Sequence, residues 1–430
     1  MIETSIALLL LFSLLFLGLP IGIGMGVVGV GGFAWLIGLT PALSMLGQTS
    51  YDTVVSYNLS VLPLFILMGH LISQAGLSEK LFVAANAWVG HWRGGLSIAS
   101  IFACGGFSAV CGSSMATAAT MGRVVIPAMR EYKYDAGLAS GSVAAGGTLG
   151  ILIPPSVLLV VYGILTEQSI GALFAAGLVP GLLGIVLYSC AVFVVTRISP
   201  TLGPAGPKST WHQRWNGLKG VSAVAALFFV IMGGIYGGIF TPTEAAGIGA
   251  VGAFLMAVAS RKLSLTHFIQ AGFDTVRTTS MMFVLVIGAI VFTNFINVAG
   301  FPQKVSEFLT LYKPDAWVVI ASLVIIYLIL GCFLESLSMM LLTVPVFYPV
   351  VSGYGFDLIW FGIFVVILVE ISLITPPVGL NIFVLQSAFP DIDLGKMFVG
   401  VMPFVLADFI RLALVVLVPA LATFLPNLFY

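Results

Sequence analysis

The stretch Thr4–Tyr51, TSIALLLLFSLLFLGLPIGIGMGVVGVGGFAWLIGLTPALSMLGQTSY, decides the fold class, because 48 successive positions carry no charged residue. About 20 apolar residues are enough for one helix to cross the hydrocarbon core of a bilayer. Four more uncharged runs of 26 to 31 residues follow at Thr53–Ser78, Gly94–Gly122, Ala136–Thr166 and Gln168–Thr196. The sequence therefore predicts an all-α polytopic membrane protein embedded in a lipid bilayer.

The composition excludes several classes of function. Hydrophobic residues make up 60% of the 430 positions and charged residues 7%, whereas soluble proteins carry about 25% charged residues. A formal net charge of zero provides no basic surface for nucleic acid. The four cysteines form no CxxC pair, and neither HExxH nor GxxxxGK(S/T) occurs. We therefore expect no enzyme active site, no transition metal and no nucleotide-driven pump.

A Pro- and Gly-rich segment at 199–216 divides the chain into two halves, 1–198 and 217–430, and the second half repeats features of the first. With seven prolines before this linker and eleven after it, chance gives roughly 0.4 matches at one offset. An offset of 222 positions superimposes four prolines and a serine. The pairs are Pro20 with Pro242, Ser114 with Ser336, Pro127 with Pro349, Pro154 with Pro376 and Pro155 with Pro377.

The repeat predicts how the long first stretch is divided. As one helix it would be about 72 Å long, more than twice the hydrocarbon thickness. Its counterpart in the second half has two segments, 218–240 and 243–260, separated at Pro242. The expected elements of the first stretch and its continuation are two crossings divided near Pro20, a third crossing at 53–76 and a short surface helix at 79–92.

Basic residues predict the orientation of these segments. If the linker is cytoplasmic, twelve Lys and Arg residues lie inside and only Lys304 and Lys313 lie outside. The bias is strong enough to fix the topology. The twelve are Lys80, Arg93, Arg130, Lys133, Arg197, Lys208, Arg214, Lys219, Arg261, Lys262, Arg277 and Lys396.

The same charges predict a re-entrant hairpin at 94–129, because basic residues flank both of its ends and it must return to its own side. Its tip is the sequence CGSS at 111–114. The repeat predicts a second hairpin at 316–352 that enters from the opposite face, with the tip ESLS at 335–338. Each half then has five crossings and one hairpin, and the halves are inverted relative to each other.

Two crossings contain a Pro-Pro pair, and we expect each helix to be broken there. The first, at 136–165, holds GGTLGILIPPS at 146–156, and the second, at 358–389, holds ITPPVGLN at 374–381. Each pair frees carbonyl oxygens that suit Na⁺, while the helix N-terminus after a break suits an anion. The alternative is that Gly and Pro here only permit kinks and close packing.

The motifs at these breaks resemble one transporter family. FSAVCGSSMATAATMGR at 107–123, GGTLGILIPP at 146–155 and GCFLESLS at 331–338 are similar to the large, DctM-like membrane subunit of tripartite ATP-independent periplasmic (TRAP) transporters. The resemblance implies elevator-type, Na⁺-driven import of an organic acid at the bacterial inner membrane. It also implies two partners, a small four-helix membrane subunit on a separate chain and a periplasmic substrate-binding protein.

The resemblance also implies which residues bind Na⁺ and the carboxylate substrate. One sodium site matches the first tip together with 147–154, and the other matches the second tip together with 375–381. The implied sodium ligands are Ser113, Ser114, Gly147, Thr148, Gly150, Pro154, Glu335, Ser336, Ser338, Thr375, Pro376 and Gly379. The implied substrate-binding residues are Ser114, Arg123, Ser336 and Asn381.

Three charged residues each have two interpretations. Arg123 either binds a substrate carboxylate or extends to the cytoplasmic surface. Glu335 either ligates sodium or caps a helix. Glu370, in an otherwise apolar crossing, is either buried in hydrogen bonds or faces a cavity.

Two acid–base pairs at helical spacing are predicted to be simple helix-surface pairs. Asp408 and Arg411 are three positions apart, and Asp274 and Arg277 repeat that spacing.

A secondary transporter, an ion channel and an intramembrane hydrolase are the function classes that compete for this sequence. A secondary transporter accounts for the repeat and the breaks, whereas a channel would not need discontinuous helices around two separate tips. An intramembrane hydrolase would need an activated nucleophile, and neither serine of the first tip has a partner at motif spacing. A single-component Na⁺/carboxylate carrier is the remaining alternative. We expect a static scaffold at 1–76 and 217–300 and a mobile domain made of the hairpins and broken helices.

Overall fold

The computed structural model describes residues 2–261, 263–312 and 314–430 of the chain. Lys262 and Lys313, which were used above to predict the orientation, lie outside the described residues. Throughout these three ranges the regular structure is helical, as the uncharged apolar runs predict.

The first half contains ten α-helices in the part of the chain that the structure describes. They are α1 (Ile2–Phe16), α2 (Ile21–Ile37), α3 (Leu39–Val55), α4 (Val61–Gln74), α5 (Leu77–Val89), α6 (Gly95–Cys111), α7 (Ser114–Glu131), α8 (Ala136–Thr148), α9 (Val157–Thr166) and α10 (Ile170–Ile198).

The described residues of the second half form ten more. They are α11 (Trp211–Tyr236), α12 (Pro242–Ala259), α13 (Leu265–Val298), α14 (Phe301–Tyr312), α15 (Ala316–Gly331), α16 (Ser336–Gly353), α17 (Leu358–Ile374), α18 (Leu380–Ala388), α19 (Leu394–Leu417) and α20 (Ala420–Phe429).

The first uncharged stretch divides near Pro20 as predicted, since α1 ends at Phe16 and α2 begins at Ile21. The prediction that a third crossing begins at residue 53 is wrong, because α4 begins at Val61. A second break follows Gly38, whose φ of 119° is outside the helical range, so that α3 is a separate helix. The chain then turns by 57° before α4. An uncharged run limits the total length of helix, but it does not locate the breaks within it.

The linker at 199–216 is shorter than predicted because α11 already begins at Trp211. Thr210 and Gln213 form a capping box. The backbone N–H of Gln213 donates to Thr210 Oγ1 at 3.3 Å, and that of Thr210 donates to Gln213 Oε1 at 2.8 Å. These bonds satisfy two N–H groups at the start of the helix. The last six residues of the predicted linker are therefore helical.

The helices of the two halves begin at corresponding positions. At an offset of 222, α7 matches α16 at both ends, and α8 starts where α17 starts. One difference is α13, a continuous helix of 34 residues, where the first half has the bent pair α3 and α4. Helices of one half also pack against helices of the other half: α2 packs on α13, α4 on α12, α7 on α18 and α9 on α16. The inversion of the halves across a bilayer stays a prediction.

Close packing of α2 and α13 depends on glycine. A Cβ atom on Gly22 would lie 2.8 Å from the Cα atom of Leu285, and one on Gly29 would lie 2.8 Å from the backbone nitrogen of Phe292. Small residues let transmembrane helices approach this closely. The stretch Thr4–Tyr51 therefore contributes a tightly packed helix as well as apolar length.

Six helices among the described residues are individually long and apolar enough to cross a membrane, or seven if the bent pair α3–α4 is one span. Ten crossings were predicted. The difference arises because the broken crossings and the N-terminal segment consist of short helices of 9–17 residues. The six helices are α10, α11, α12, α13, α16 and α19.

Candidate functional site

Two units that correspond in the two halves contain the predicted site residues. The first unit comprises α6 to α9, and the second comprises α15 to α18. Each unit has a tip between its first two helices and a break between its last two.

The tip of the first unit is a tight turn made by glycine and serine. Gly112 has a φ of 65°, and Ser113 is extended with a φ of −134°, so α6 ends and α7 begins within two residues. Ser113 Oγ accepts a bond from the backbone N–H of Ala116 at 3.4 Å and caps α7. A Cβ on Gly112 would lie 2.9 Å from the carbonyl oxygen of Pro155. The tip therefore rests against the break of the same unit.

The break of the first unit extends from Leu149 to Ser156, and all eight residues are buried. Gly150 of the break contacts the backbone of the tip, because a Cβ atom on Gly150 would lie 2.8 Å from the carbonyl oxygen of Ser113. Gly147 lies similarly close to Ala118 of α7. The structure thus brings the predicted sodium residues of the tip and the break into contact.

The tip of the second unit lies slightly earlier than predicted. The irregular segment is 332–335, and Ser336 to Ser338 form the first turn of α16. Ser338 Oγ donates to Glu335 Oε1 at 3.2 Å. Glu335 therefore contacts the first helical turn, where a negative charge is favourable, and it also lines the cavity described below.

The break of the second unit is at Thr375–Gly379. Thr375 Oγ1 donates to the carbonyl oxygen of Ile371, and Gly379, with a φ of 59°, precedes α18. The carbonyl oxygen of Pro376 lies 4.0 Å from Cys332 Sγ of the tip. Tip and break are therefore adjacent in this unit as well.

Asn381 joins the two units. Its Nδ2 donates to Ser114 Oγ at 2.7 Å and to the carbonyl oxygen of Ala144 at 3.0 Å. The hydroxyl of Ser114 lies 3.0 Å from Asn381 Oδ1, to which it donates. Both side chains are buried, so two predicted substrate residues hold the first tip to the second broken helix.

A cavity of about 740 Å³ separates the two tips from α4 and α13. Five predicted residues line it: Ser113, Ser114, Arg123, Glu335 and Ser336. Arg123 lines the cavity and is also exposed to solvent, and within the described ranges its guanidinium forms no ion pair or hydrogen bond, so its N–H donors are available to a ligand. The predicted residues that lie outside the cavity lining are Gly147, Thr148, Gly150, Pro154, Ser338, Thr375, Pro376, Gly379 and Asn381.

The opposite wall contains polar residues that the sequence analysis did not assign to the site. His70 of α4 and Asp274 of α13 line the cavity, together with Thr278. The prediction that Asp274 forms a surface pair with Arg277 is wrong, because Asp274 instead accepts a bond from Gln270 Nε2 at 3.0 Å. Asp274 and Thr278 are four positions apart and therefore share one face of α13. This spacing is the sequence pattern that could have indicated a polar wall here.

The prediction of a surface pair at Asp408 and Arg411 is also wrong. The two side chains form an ion pair at 2.7 Å, but both are fully buried, because α19 packs against α8, α10 and α17. Arg411 Nη2 also donates to Glu370 Oε2. Of the two interpretations of Glu370, the structure supports burial in hydrogen bonds.

Comparisons with known proteins agree with this arrangement. Residues 8–421 match the sequence model of the tripartite ATP-independent periplasmic transporter, DctM component. The chain is 36% identical over 402 residues to the C4-dicarboxylate TRAP transporter large permease protein DctM of Pseudomonas aeruginosa, covering 93% of each chain. It is also 36% identical to the sialic acid TRAP transporter large permease protein SiaM of Vibrio cholerae, covering 97% of each.

A solved structure has a similar fold. The chain matches the Alcanivorax borkumensis YdaH transporter with a TM-score of 0.62, 15% identity and coverage of 91% of this chain and 88% of that one. At this identity the likeness concerns the fold alone.

Proposed function

Because this chain belongs to the DctM component family of the tripartite ATP-independent periplasmic transporters, we propose that it imports an organic acid, using Na⁺ as the coupling ion. It is a multi-pass membrane protein and a transporter subunit rather than an enzyme. In our proposal it resides in the bacterial inner membrane and works with a small four-helix subunit and a periplasmic substrate-binding protein.

The observation that carries the proposal is the cavity between the two tips on one side and α4 and α13 on the other. Arg123 lines it together with Ser113 and Ser336 of the two tips, and among the described residues the Arg123 guanidinium has no ion pair or hydrogen bond. A guanidinium binds a carboxylate with two parallel hydrogen bonds, which suits an organic acid. The two relatives described above are named for C4-dicarboxylate and sialic acid, and both of these ligands carry a carboxylate.

The proposed sodium sites are formed by tips and breaks together. In the first unit the carbonyl oxygen of Ser113 faces Gly150, and in the second unit Glu335 lies on the tip whose Cys332 contacts Pro376. Neutral carbonyl and hydroxyl oxygens with one carboxylate are donors that suit a hard cation. Binding of Na⁺ at both places would fix the tips on either side of the substrate.

The fold also suits an elevator movement, in which both units slide as one domain against the scaffold. Asn381 and Ser114 connect the two units directly, as a domain that moves in one piece requires. His70 and Asp274 belong to the scaffold wall, so the substrate cavity lies at the boundary between the two proposed bodies.

Reconstituted transport tests the proposal. The protein, together with its small subunit and loaded binding protein, should accumulate carboxylate in liposomes only under an inward Na⁺ gradient. Ser114→Ala and Ser336→Ala should each raise the Na⁺ concentration needed for half-maximal uptake. Equal uptake in Na⁺-free buffer under a proton gradient would refute Na⁺ coupling. Full uptake without the binding protein would instead identify a single-component carrier.

A further inference from the structure

A continuous chain of buried polar groups connects the two broken helices. Thr148 Oγ1 lies 3.2 Å from Tyr188 Oη, and Tyr188 Oη donates to Asp408, whose two carboxylate oxygens lie at 2.7 and 2.8 Å. Asp408 also accepts a bond from Arg411 Nη2 at 2.7 Å, and the same nitrogen donates to Glu370. All five side chains have no solvent exposure.

The two ends of this chain occupy equivalent places in the repeat. Thr148 is the last residue of α8, and Glu370 lies in α17 exactly one offset of 222 positions later. Tyr188 of α10 and the pair on α19 form the middle of the chain. The polar chain therefore spans from one broken helix to the corresponding position of the other.

The surrounding helices are shaped to hold these groups. A Cβ on Gly184 of α10 would lie 3.3 Å from Cζ of Arg411, so glycine leaves the space that the guanidinium occupies. The guanidinium lies 5.7 Å from the centre of the Tyr188 ring, which in turn packs edge-on against Phe404. Buried charges are tolerated when such partners fix them. These contacts restrict the Tyr188 ring and the Arg411 guanidinium, while among the described residues Arg411 Nε, Arg411 Nη1 and Glu370 Oε1 have no hydrogen-bond partner.

Thr148 connects the polar chain to the first break. Thr148 immediately precedes the break, two residues before Gly150, which contacts the first tip. Because Tyr188 donates its proton to Asp408, Thr148 is the donor to Tyr188 Oη. Its one proton is shared with the carbonyl oxygen of Ala145 at 2.7 Å. The chain is not itself a cation site, because a guanidinium lies between its two carboxylates.

We propose that Tyr188, Asp408 and Arg411 are positioning residues for Na⁺ at the first break, and that they hold this break at a fixed distance from the second broken helix. The inference rests on the Na⁺ dependence proposed above. Pre-positioned ligands lower the cost of ordering a site when its ion binds. Loss of the Tyr188 hydroxyl would leave Thr148 held only by its bond to Ala145 and would weaken Na⁺ binding without removing any ligand.

The test measures stabilisation by Na⁺ in the purified complex with its small subunit. The midpoint of thermal unfolding is followed as NaCl replaces choline chloride, since an ion that binds the folded state raises this midpoint. Tyr188→Phe should raise the half-saturating Na⁺ concentration about three- to tenfold, the effect of one net hydrogen bond. Tyr162→Phe is the matched control, because Tyr162 is equally buried and its hydroxyl donates to the carbonyl oxygen of Leu358.

A purely structural role gives a different result. It would lower the unfolding midpoint of Tyr188→Phe equally with and without Na⁺ and leave the half-saturating concentration unchanged, which would overturn the inference. If Tyr188→Phe does not fold, Thr148→Val is measured in its place. An unchanged half-saturating Na⁺ concentration in Thr148→Val also overturns the inference. Failure of the proposed function looks different again, because the unsubstituted complex would then show no Na⁺ response in either stability or uptake.

Discussion

The two units differ in how deeply the rest of the protein covers their breaks. Residues 149–156 of the first unit are all buried, whereas Pro376 and Pro377 of the second unit are exposed. In the first unit, Gly177 of α10 lies against Leu152, because its small size allows the helix to approach. The two units have similar local sequence features, and their different burial comes from the helices that pack over them.

This difference has a consequence for the proposed sodium sites. A buried break can change shape only if α6 and α10 also move, whereas an exposed break can change with little effect on its neighbours. We therefore expect the first unit to be the rigid one.

Each unit contributes one member of an ion pair with a residue outside the unit, and one of these pairs is buried while the other is exposed. Arg411 pairs with Asp408 and Glu370 without solvent exposure, while Arg130 of α7 pairs with Asp391 at 2.6 Å with side chains 43% and 63% exposed. Arg411→Ala should lower the free energy of unfolding by about 3–5 kcal/mol, because it leaves two buried carboxylates unpaired. Arg130→Ala should cost at most about 1 kcal/mol.

Unfolding of both variants by denaturant in detergent measures this difference. Equal destabilisation by the two alanine substitutions would show that the buried cluster contributes no more to stability than an exposed ion pair.

The glycines with positive φ in the two units provide the second comparison. Gly112→Ala and Gly379→Ala share a conformational cost of about 1–2 kcal/mol. The new Cβ at Gly112 would also lie 2.9 Å from a backbone oxygen, whereas at Gly379 its nearest neighbour is a side-chain atom of Phe398 at 3.1 Å. We expect Gly112→Ala to cost about 1–3 kcal/mol more, because backbone yields less readily than a side chain.

Thermal unfolding of the two alanine variants checks this expectation. A larger loss for Gly379→Ala would mean that the second break, and not the first, is the rigid one.

The smallest expected effect concerns the two carboxyl groups of the buried cluster. Asp408 accepts bonds from Tyr188 and Arg411, whereas in the described part of the chain Glu370 Oε1 has no hydrogen-bond partner. Glu370→Gln should therefore change the free energy of unfolding by less than about 1 kcal/mol. Asp408→Asn should cost about 1–3 kcal/mol, because one of its two accepting oxygens becomes an NH2 group that faces the Tyr188 hydroxyl.

The same unfolding measurement distinguishes the pair. A larger cost for Glu370→Gln than for Asp408→Asn would show that the charge of Glu370, rather than that of Asp408, supports the cluster.

Much of the helix pattern was predictable from the sequence. Pro20 and Pro242 divide the apolar stretches, and the serines at 113 and 114 mark a tip, because proline and glycine act on the backbone locally. The start of α3 after Gly38 was missed, since one glycine among many in an apolar run gives no distinct signal. The capping box at Thr210 was readable in principle and would have corrected the end of the linker.

The site was predictable only in part. The sequence supplied Ser114, Arg123 and Ser336 as candidates, and the structure places all three at one cavity. It did not indicate His70 or Asp274, because these residues reach the cavity from helices that are distant in the chain.

What the sequence alone determined is the membrane-embedded helical class, the twofold pattern of breaks and the residue types at each tip, because hydropathy and backbone restriction act over short stretches of chain. Only the tertiary structure decided that Asp408 and Arg411 are buried rather than exposed. Spacing along one helix fixes which residues share a face, but the neighbouring helices decide what that face meets. Here α10 and α17 cover it, and the pair becomes part of the core.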